Sequence, residues 1–298
     1  MNLHKTVLLH ESIDGLEIKS GDIFLDGTLG GGGHTAEVCK NFGKKVKVIG
    51  LDLDADALER TKERLEKMDC EATLIVSSFR NLDHVLSDLH LEKVNRILLD
   101  LGLSSNQLEE SGRGFSFRKN EPLLMTMKKN PEENDVTAKE IVNNWEEGNI
   151  ADIIYGYGEE KFSRKIAKKI IEARKAKMIE TTDDLVKIIE SAVPASYRRQ
   201  KLHFATRTFQ ALRIATNDEL RSLEEVLQKG FDHLKKGGRL AIISFHSLED
   251  RLVKRFFKER ENEKTALLIT KKPIIPNEEE IRENPRSRSA KLRILTKL

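Results

Sequence analysis

The N-terminal third of the chain alternates short apolar runs with helical patterns, and that alternation admits few architectures. Successive βα units bury both faces of their strands only in a mostly parallel sheet covered by helices. Four strands are expected, at Asp22–Asp26, Lys45–Asp52, Ala72–Phe79 and Arg96–Leu101, with helices near Thr35–Phe42, Ala55–Met68 and Asn81–Leu89. After Gln107 the rhythm stops. A polar stretch containing Gly and Pro, Glu109–Asn134, leads into helical patterns that end near Tyr197. The rhythm then returns: Leu220, Leu223, Leu227, Phe231 and Leu234 recur at helical spacing behind a cap at Asn217, and Gly237 and Gly238 are expected to stop that helix. A strand at Arg239–Phe245, a helix at Leu248–Arg260 and a last strand at Ala290–Thr296 follow, while Glu278–Glu280 reads as a short solvated charge run. The expected fold class is α/β, with a core from residues 1–108 and 206–298 interrupted by a helical insertion at 109–205.

A chain of 298 residues has room for such a core and insertion, and its 34% charged residues exceed the usual figure of about 25%. No apolar run approaches the roughly 18 to 20 residues that cross a bilayer, and Met1–His10 lacks the apolar stretch of a secretory signal, so no membrane partner is expected. Cys39 and Cys70, the only two cysteines, share no CxxC spacing and make no disulfide framework, which points to a reducing cytoplasm. The eight histidines show no ligand spacing with acids or cysteines, so no metal site is expected. Net charge is only +3, and electrostatic arguments must rest on clusters. Basic residues gather in Lys161–Lys177, Ser196–Arg213 and Arg286–Leu298. In the first, Phe162, Ile166, Ile170 and Ala173 form an apolar stripe, so it reads first as an amphipathic helix with a solvated basic face.

The chemistry concentrates in the segment Asp26-Gly27-Thr28-Leu29-Gly30-Gly31-Gly32-Gly33-His34, between a strand and a helix. Neither phosphate-binding pattern fits: GxGxxG fails in every frame, and no Lys follows the glycines as the Walker pattern requires. Asp26, Asp52 and Asp54 lie at the carboxyl ends of the first two strands, where an open α/β sheet binds its ligand. Such a site repels a pyrophosphate and suits a ligand with positive charge and a ribose diol, as in S-adenosylmethionine. Asp52 stands where an acid accepts both ribose hydroxyls. The competing reading is a tight turn with helix-capping acids. Asp100-Leu101-Gly102-Leu103-Ser104-Ser105 ends the fourth strand, and its acceptors suit the hydrogens of an exocyclic base amine attacking a sulfonium methyl. Asp100 could otherwise cap the next helix.

With these residues in place, the chain resembles the RsmH (MraW) family, bacterial methyltransferases that modify N4 of a decoding-centre (P-site) cytosine in 16S ribosomal RNA. The resemblance rests on His4–Leu9, the Asp26–His34 loop, Asp100–Gln107, Arg113–Phe117, Gly158–Glu160, Ala205–Ile214, Ser244–Arg251 and Asn284–Arg293. It implies a Rossmann-like S-adenosylmethionine-dependent methyltransferase core with an inserted, substrate-binding helical domain. It implies cofactor contacts at Gly32, Gly33, His34, Asp52, Phe79, Asp100 and Gln107, with Phe79 beside the adenine. Asp100, Ser104, Ser105 and His246 are the candidates for the chemistry. The RNA-binding candidates are basic and aromatic: Arg113, Phe115, Phe117, Arg118, Arg207, Arg213, Arg286 and Arg288, with Arg198, Arg199 and Lys201 nearby in sequence. The implied partner is 16S rRNA in the small ribosomal subunit, in the cytoplasm, with monomer and homodimer both open. One departure stands out: where the family reads Pro-Leu-Asp-Met-Arg-Met, this chain has Pro122-Leu123-Leu124-Met125-Thr126-Met127, and a smaller one places Phe204 where the family has proline. The lost acid and base leave a second reading open, a ribosome-binding factor that keeps the cofactor fold without turnover.

Overall fold

The structure, a computed structural model, describes residues 5–102, 111–128, 131 and 135–298. The chain forms two compact units, one from residues 1–102 and 220–298 and the other from residues 103–219. The first opens with α1 (Leu9–Leu16) and continues through β1 (Ile23–Asp26), α2 (Gly33–Phe42), β2 (Lys47–Asp52), α3 (Ala55–Leu65), β3 (Glu71–Val76), α4 (Leu82–Asp88) and β4 (Val94–Asp100). The second unit holds α5 (Ala138–Asn144), α6 (Glu147–Gly156), α7 (Ser163–Ala176), α8 (Thr182–Ala192), α9 (Ala195–Arg198) and α10 (Thr206–Asn217). The first unit resumes with α11 (Glu219–Asp232), β5 (Leu234–Ser244), α12 (Ser247–Asn262), β6 (Ala266–Leu268), α13 (Glu278–Glu283) and β7 (Lys291–Lys297).

The seven strands form one sheet in the order β3-β2-β1-β4-β5-β7-β6. The pairs of β1 through β5 are parallel, and β7 runs antiparallel to both its neighbours. Crossovers leave β1 toward β2 and leave β4 toward β5, so the direction of winding switches between β1 and β4. Both faces of the sheet are covered, which is why the middle of each central strand is largely apolar on both faces. Phe24, Val48, Leu98, Ala241 and Ile243 pack with α1 and α2, while Leu25, Ile49, Ile97, Leu99, Leu240 and Ile242 pack with α4, α11 and α12. At the far end of β4, buried Arg96 pairs with Asp22 at 3.1 Å and donates to the Glu17 carbonyl.

Several expectations need correction. Gly237 and Gly238 do not end α11, which stops at Asp232; they lie inside β5, where the register against β4 slips and Gly237 has a φ of +74°. Asn217 closes α10 rather than capping α11, its side chain bonded to the backbone of Met125 and Met127. The run Glu278–Glu280 opens the short helix α13, capped by Asn277. β3 ends at Val76, leaving Phe79 in a 3-10 turn. The whole of α10, assigned to the core from residue 206 onward, belongs to the second unit. Cys39, in the last turn of α2, is joined in a disulfide to Cys70, just before β3, so these cysteines are not free thiols.

The second unit has its own core. Ile166, Ala167 and Ile170 of α7 pack among Ile150, Ile154, Leu185 and Ile189, so the basic α7 does bury an apolar stripe. Fully buried Glu160 accepts the Tyr197 hydroxyl at 2.5 Å and the Phe162 N–H at 2.8 Å. Leu123 and Met125 are core residues here, and Thr126 is also buried.

Candidate active site

β1, β2 and β4 each end on an aspartate: Asp26, Asp52 and Asp100. Because the three strands are parallel neighbours, the carboxyls emerge at one edge of the sheet, around the switch between β1 and β4. Hydrogen bonds tie them to the glycine segment. Asp26 Oδ1 accepts from the Thr28 N–H at 3.2 Å, and its Oδ2 accepts the Thr35 hydroxyl at 2.8 Å. Thr28 Oγ1 in turn accepts the Asp100 N–H at 2.6 Å, linking β1 to β4. Asp52 accepts from the Gly30 N–H at 2.7 Å and from the Asp54 N–H at 2.8 Å. Asp100 Oδ1 accepts from the Gly102 N–H at 3.2 Å.

The electrostatics follow from this crowding. Removal from water pushes the Asp100 carboxyl up to about 7, with the charges of Asp26 and Glu249 adding to the shift. Burial likewise pushes Asp26 up to about 6, against the hydrogen bonds from Thr35 and Thr28. Asp52 is raised as well, chiefly by desolvation. Among the described residues none of the three is paired with a Lys or Arg. Three desolvated acids without a cation of their own favour a ligand that brings positive charge.

The glycines divide by role. A Cβ on Gly32 would lie 2.4 Å from the Thr61 methyl, and one on Gly33 would lie 1.8 Å from the Thr6 hydroxyl. Their missing side chains therefore admit the chain's own threonines. Only the backbone of these two glycines is left for a cofactor. Gly30 has a φ of +50°, and a Cβ there would meet only the Thr28 carbonyl oxygen, at an ordinary contact distance of 3.8 Å. The segment before α1 closes against this loop: His34 is buried with Nε2 3.2 Å from the Val7 carbonyl, and the Leu8 N–H donates to Glu280. The imidazole thus holds the chain's first described residues to α2.

Phe79 is half-buried and packs near Gly27 at the end of β1, beside the same edge. Asp54 caps α3 through the Asp56 N–H, so the capping alternative holds for this acid. His246 is the N-cap of α12: its Nδ1 accepts from the Glu249 N–H at 3.4 Å in a reciprocal capping box. Nε2 lies 3.1 Å from Glu249 Oε1 at an angle that makes no hydrogen bond. Glu249 also accepts the Phe245 N–H at 2.8 Å, and the Phe245 ring lies where a Cβ on Gly102 would be. His246 thus caps α12 through Nδ1, and its buried Nε2 makes no hydrogen bond among the described residues. Ser104, Ser105 and Gln107 lie outside the described residues.

The RNA candidates also sort by surroundings. Arg113 and Phe115 are buried in the second unit, the guanidinium donating to the Met127 carbonyl at 2.7 Å and lying over the Phe115 ring. Both are thus buried rather than displayed on the surface. Arg213 forms a two-point ion pair with Glu219, both bonds 2.9 Å. Arg118, Arg286 and Arg288 are exposed, and Arg207 donates to the Glu159 carbonyl at 2.9 Å. Sequence reasoning gave no role to Thr28, Thr35 or Glu249. The first two sit within or beside the glycine segment, and their hydroxyls were the available signal.

A doubly wound sheet with uncompensated acids at its switch point, and a glycine turn beside them, defines an S-adenosylmethionine-dependent methyltransferase. Asp52, Asp26 and Asp100, without a Lys or Arg partner among the described residues, fit that cofactor by charge. The profile of the MraW methylase family matches residues 1–298. Two curated relatives, both "Ribosomal RNA small subunit methyltransferase H" from Clostridium botulinum strains, are 48% identical over 99% of this chain and 99% of their own. A solved rRNA methylase from Streptococcus thermophilus is similar over 99% of this chain and 98% of that one, at 15% identity and a TM-score of 0.46. The chain belongs to the MraW methylase family. No helix among the described residues is long and apolar enough to cross a membrane.

Proposed function

We propose that this protein methylates N4 of the P-site cytosine in 16S rRNA of the small ribosomal subunit, in the cytoplasm, with S-adenosylmethionine as methyl donor. Bound at the acid-lined edge, the cofactor supplies an electrophilic methyl group. The observation that carries the reading is Asp100, whose carboxyl is pushed up to about 7 at the end of β4. An amine that gains a methyl must release a proton, and an acceptor near neutrality is matched to that task. Before transfer, the same carboxylate holds an amine hydrogen and favours pyramidalisation at nitrogen. Asp52 takes the ribose hydroxyls, and Phe79 flanks the adenine. The name shared by the relatives supports ribosomal RNA of the small subunit as the substrate. Exposed Arg118, Arg286 and Arg288 supply phosphate contacts.

Turnover is favoured over binding alone because the departure at Leu124 and Thr126 falls in a well-packed segment. Leu123 and Met125 sit in the second unit's core, and the Met125 N–H donates to the Arg113 carbonyl at 2.7 Å. The test is labelled-methyl transfer to small subunits from a strain lacking this modification, followed by mapping of the labelled nucleotide. Label on the expected cytosine N4 supports the proposal. Binding without label would favour the ribosome-binding factor, and label elsewhere would change the substrate.

A further inference from the structure

A stack of three rings stands on the second unit. Phe117 and His203 lie with centroids 4.4 Å apart and planes within 13°, and His203 and Phe204 lie 4.2 Å apart and within 28°. One end is anchored: Phe209 meets Phe117 edge to face at 5.3 Å, and Phe117 and Phe204 both rest on the unit's core. At the other end Phe204 is half-buried and stacks on no second ring among the described residues. His203 is exposed, as is the Leu202 side chain before it. Desolvation lowers the His203 pKa below its ordinary value, so near neutrality the middle ring stacks as an uncharged arene.

The charge around the stack is one-sided. Arg118 follows Phe117 directly, and Arg199 and Lys201 precede His203, all three exposed. The nearby acid, Glu190, is held by Arg198 at 2.8 Å. Flat apolar rings bordered by cations at intervals of a few residues match single-stranded nucleic acid, whose bases stack while its phosphates pair.

We propose that the Phe117–His203–Phe204 stack is a nucleobase platform, on which an unpaired base of single-stranded RNA extends the stack at Phe204 while Arg118, Arg199 and Lys201 take the adjoining phosphates. This rests on the RNA-methylation reading and names the surface that would grip the strand.

The test uses the full-length protein and a short fluorescein-labelled single-stranded oligoribonucleotide, with a second oligonucleotide carrying one 2-aminopurine. Phe204→Ala should weaken binding about tenfold, the size of one lost stacked base, with no change in the salt slope. Phe204→Trp should bind at least as tightly as the native protein, and 2-aminopurine quenching should persist in Trp and vanish in Ala. Arg118→Gln should instead flatten the salt slope by about 0.7. Should Phe204→Ala lose its fold, His203→Ala, at an exposed position, carries the same test. Native affinity in a folded alanine variant, or a loss of slope in place of stacking, would overturn the platform. The binding arm needs no methyl transfer: if subunits are labelled but the alanine variants bind normally, only the platform fails. If the oligonucleotide binds through the stack but subunits take no label, the methylation reading fails instead.

Discussion

Asp26 and Asp100 give cofactor binding a pH dependence with a defined sign. Their folded values, about 6 and about 7, lie above the ordinary 3.8, so the folded protein keeps protons that the unfolded chain has already released. Their contribution to stability therefore falls as pH rises from about 4 toward about 7 and then levels off. A sulfonium beside these groups favours their charged forms. S-adenosylmethionine affinity should rise with pH across about 5.5 to 7.5, with protons released on binding, as calorimetry in buffers of different ionisation enthalpy would measure. The uncharged-sulfur product should show a weaker trend, and an affinity that falls with pH would contradict this account. Asp52→Asn should cost about 1.5 to 3 kcal/mol of cofactor affinity by losing charge-assisted bonds. Unchanged affinity in a folded variant would remove Asp52 from the site. That Asp52 and Asp100 stand at one sheet edge could be read from the sequence, because a strand end in a parallel sheet fixes where a side chain emerges. The burial of Arg113 and Phe115 and the capping by His246 could not, since membership in a motif does not say whether a side chain faces outward or the interior.

The elements carry their own tests. Asp22 and Arg96 pair where β1 and β4 begin, away from the acid edge, so Asp22→Ala should cost about 3 to 5 kcal/mol of stability by leaving a buried guanidinium unpaired. Denaturant unfolding would measure that loss, while cofactor affinity at saturating folded protein should not move. The Cys39–Cys70 bond closes a 31-residue separation that includes α3, and chain-entropy arguments assign such a loop about 3 to 4 kcal/mol. A dithiol reductant should lower the melting temperature accordingly, and a Cys39→Ser variant should melt at the same temperature with or without it. In the segment Pro122–Met127, Thr126 is buried, so Thr126→Arg alone should lower stability and methyl transfer. The double change Leu124→Asp with Thr126→Arg should restore part of both; if the double variant is worse than either single one, the charges do not compensate. Helices and parallel strands were readable from apolar spacing, yet the short β6 and the slip in β5 were not. Three residues carry too little periodicity, and a glycine pair looks the same ending a helix as bending a strand.

Two units with separate cores imply that the cofactor acts on one of them first. Cofactor at about one hundred times its dissociation constant should raise the stability of the unit containing Asp26, Asp52 and Asp100 by about 2.7 kcal/mol. Hydrogen exchange should show that protection in β1, β2 and β4 more than in α7 and α8; equal protection everywhere would place the cofactor differently. The α/β class and its helical interruption followed from the sequence rhythm, but the boundary did not. α10 has the same apolar spacing whichever core it joins, and only packing assigns it to the second unit. The central claim, that Asp100 is the acceptor for the amine undergoing methylation, is tested most directly by single-turnover methyl transfer to small subunits with Asp100→Asn at saturating cofactor. The account predicts that the variant still binds cofactor and subunits but transfers at least about one hundred times more slowly, without the native rise in rate across neutral pH. A variant that transfers at the native rate, with the native pH profile, would contradict it.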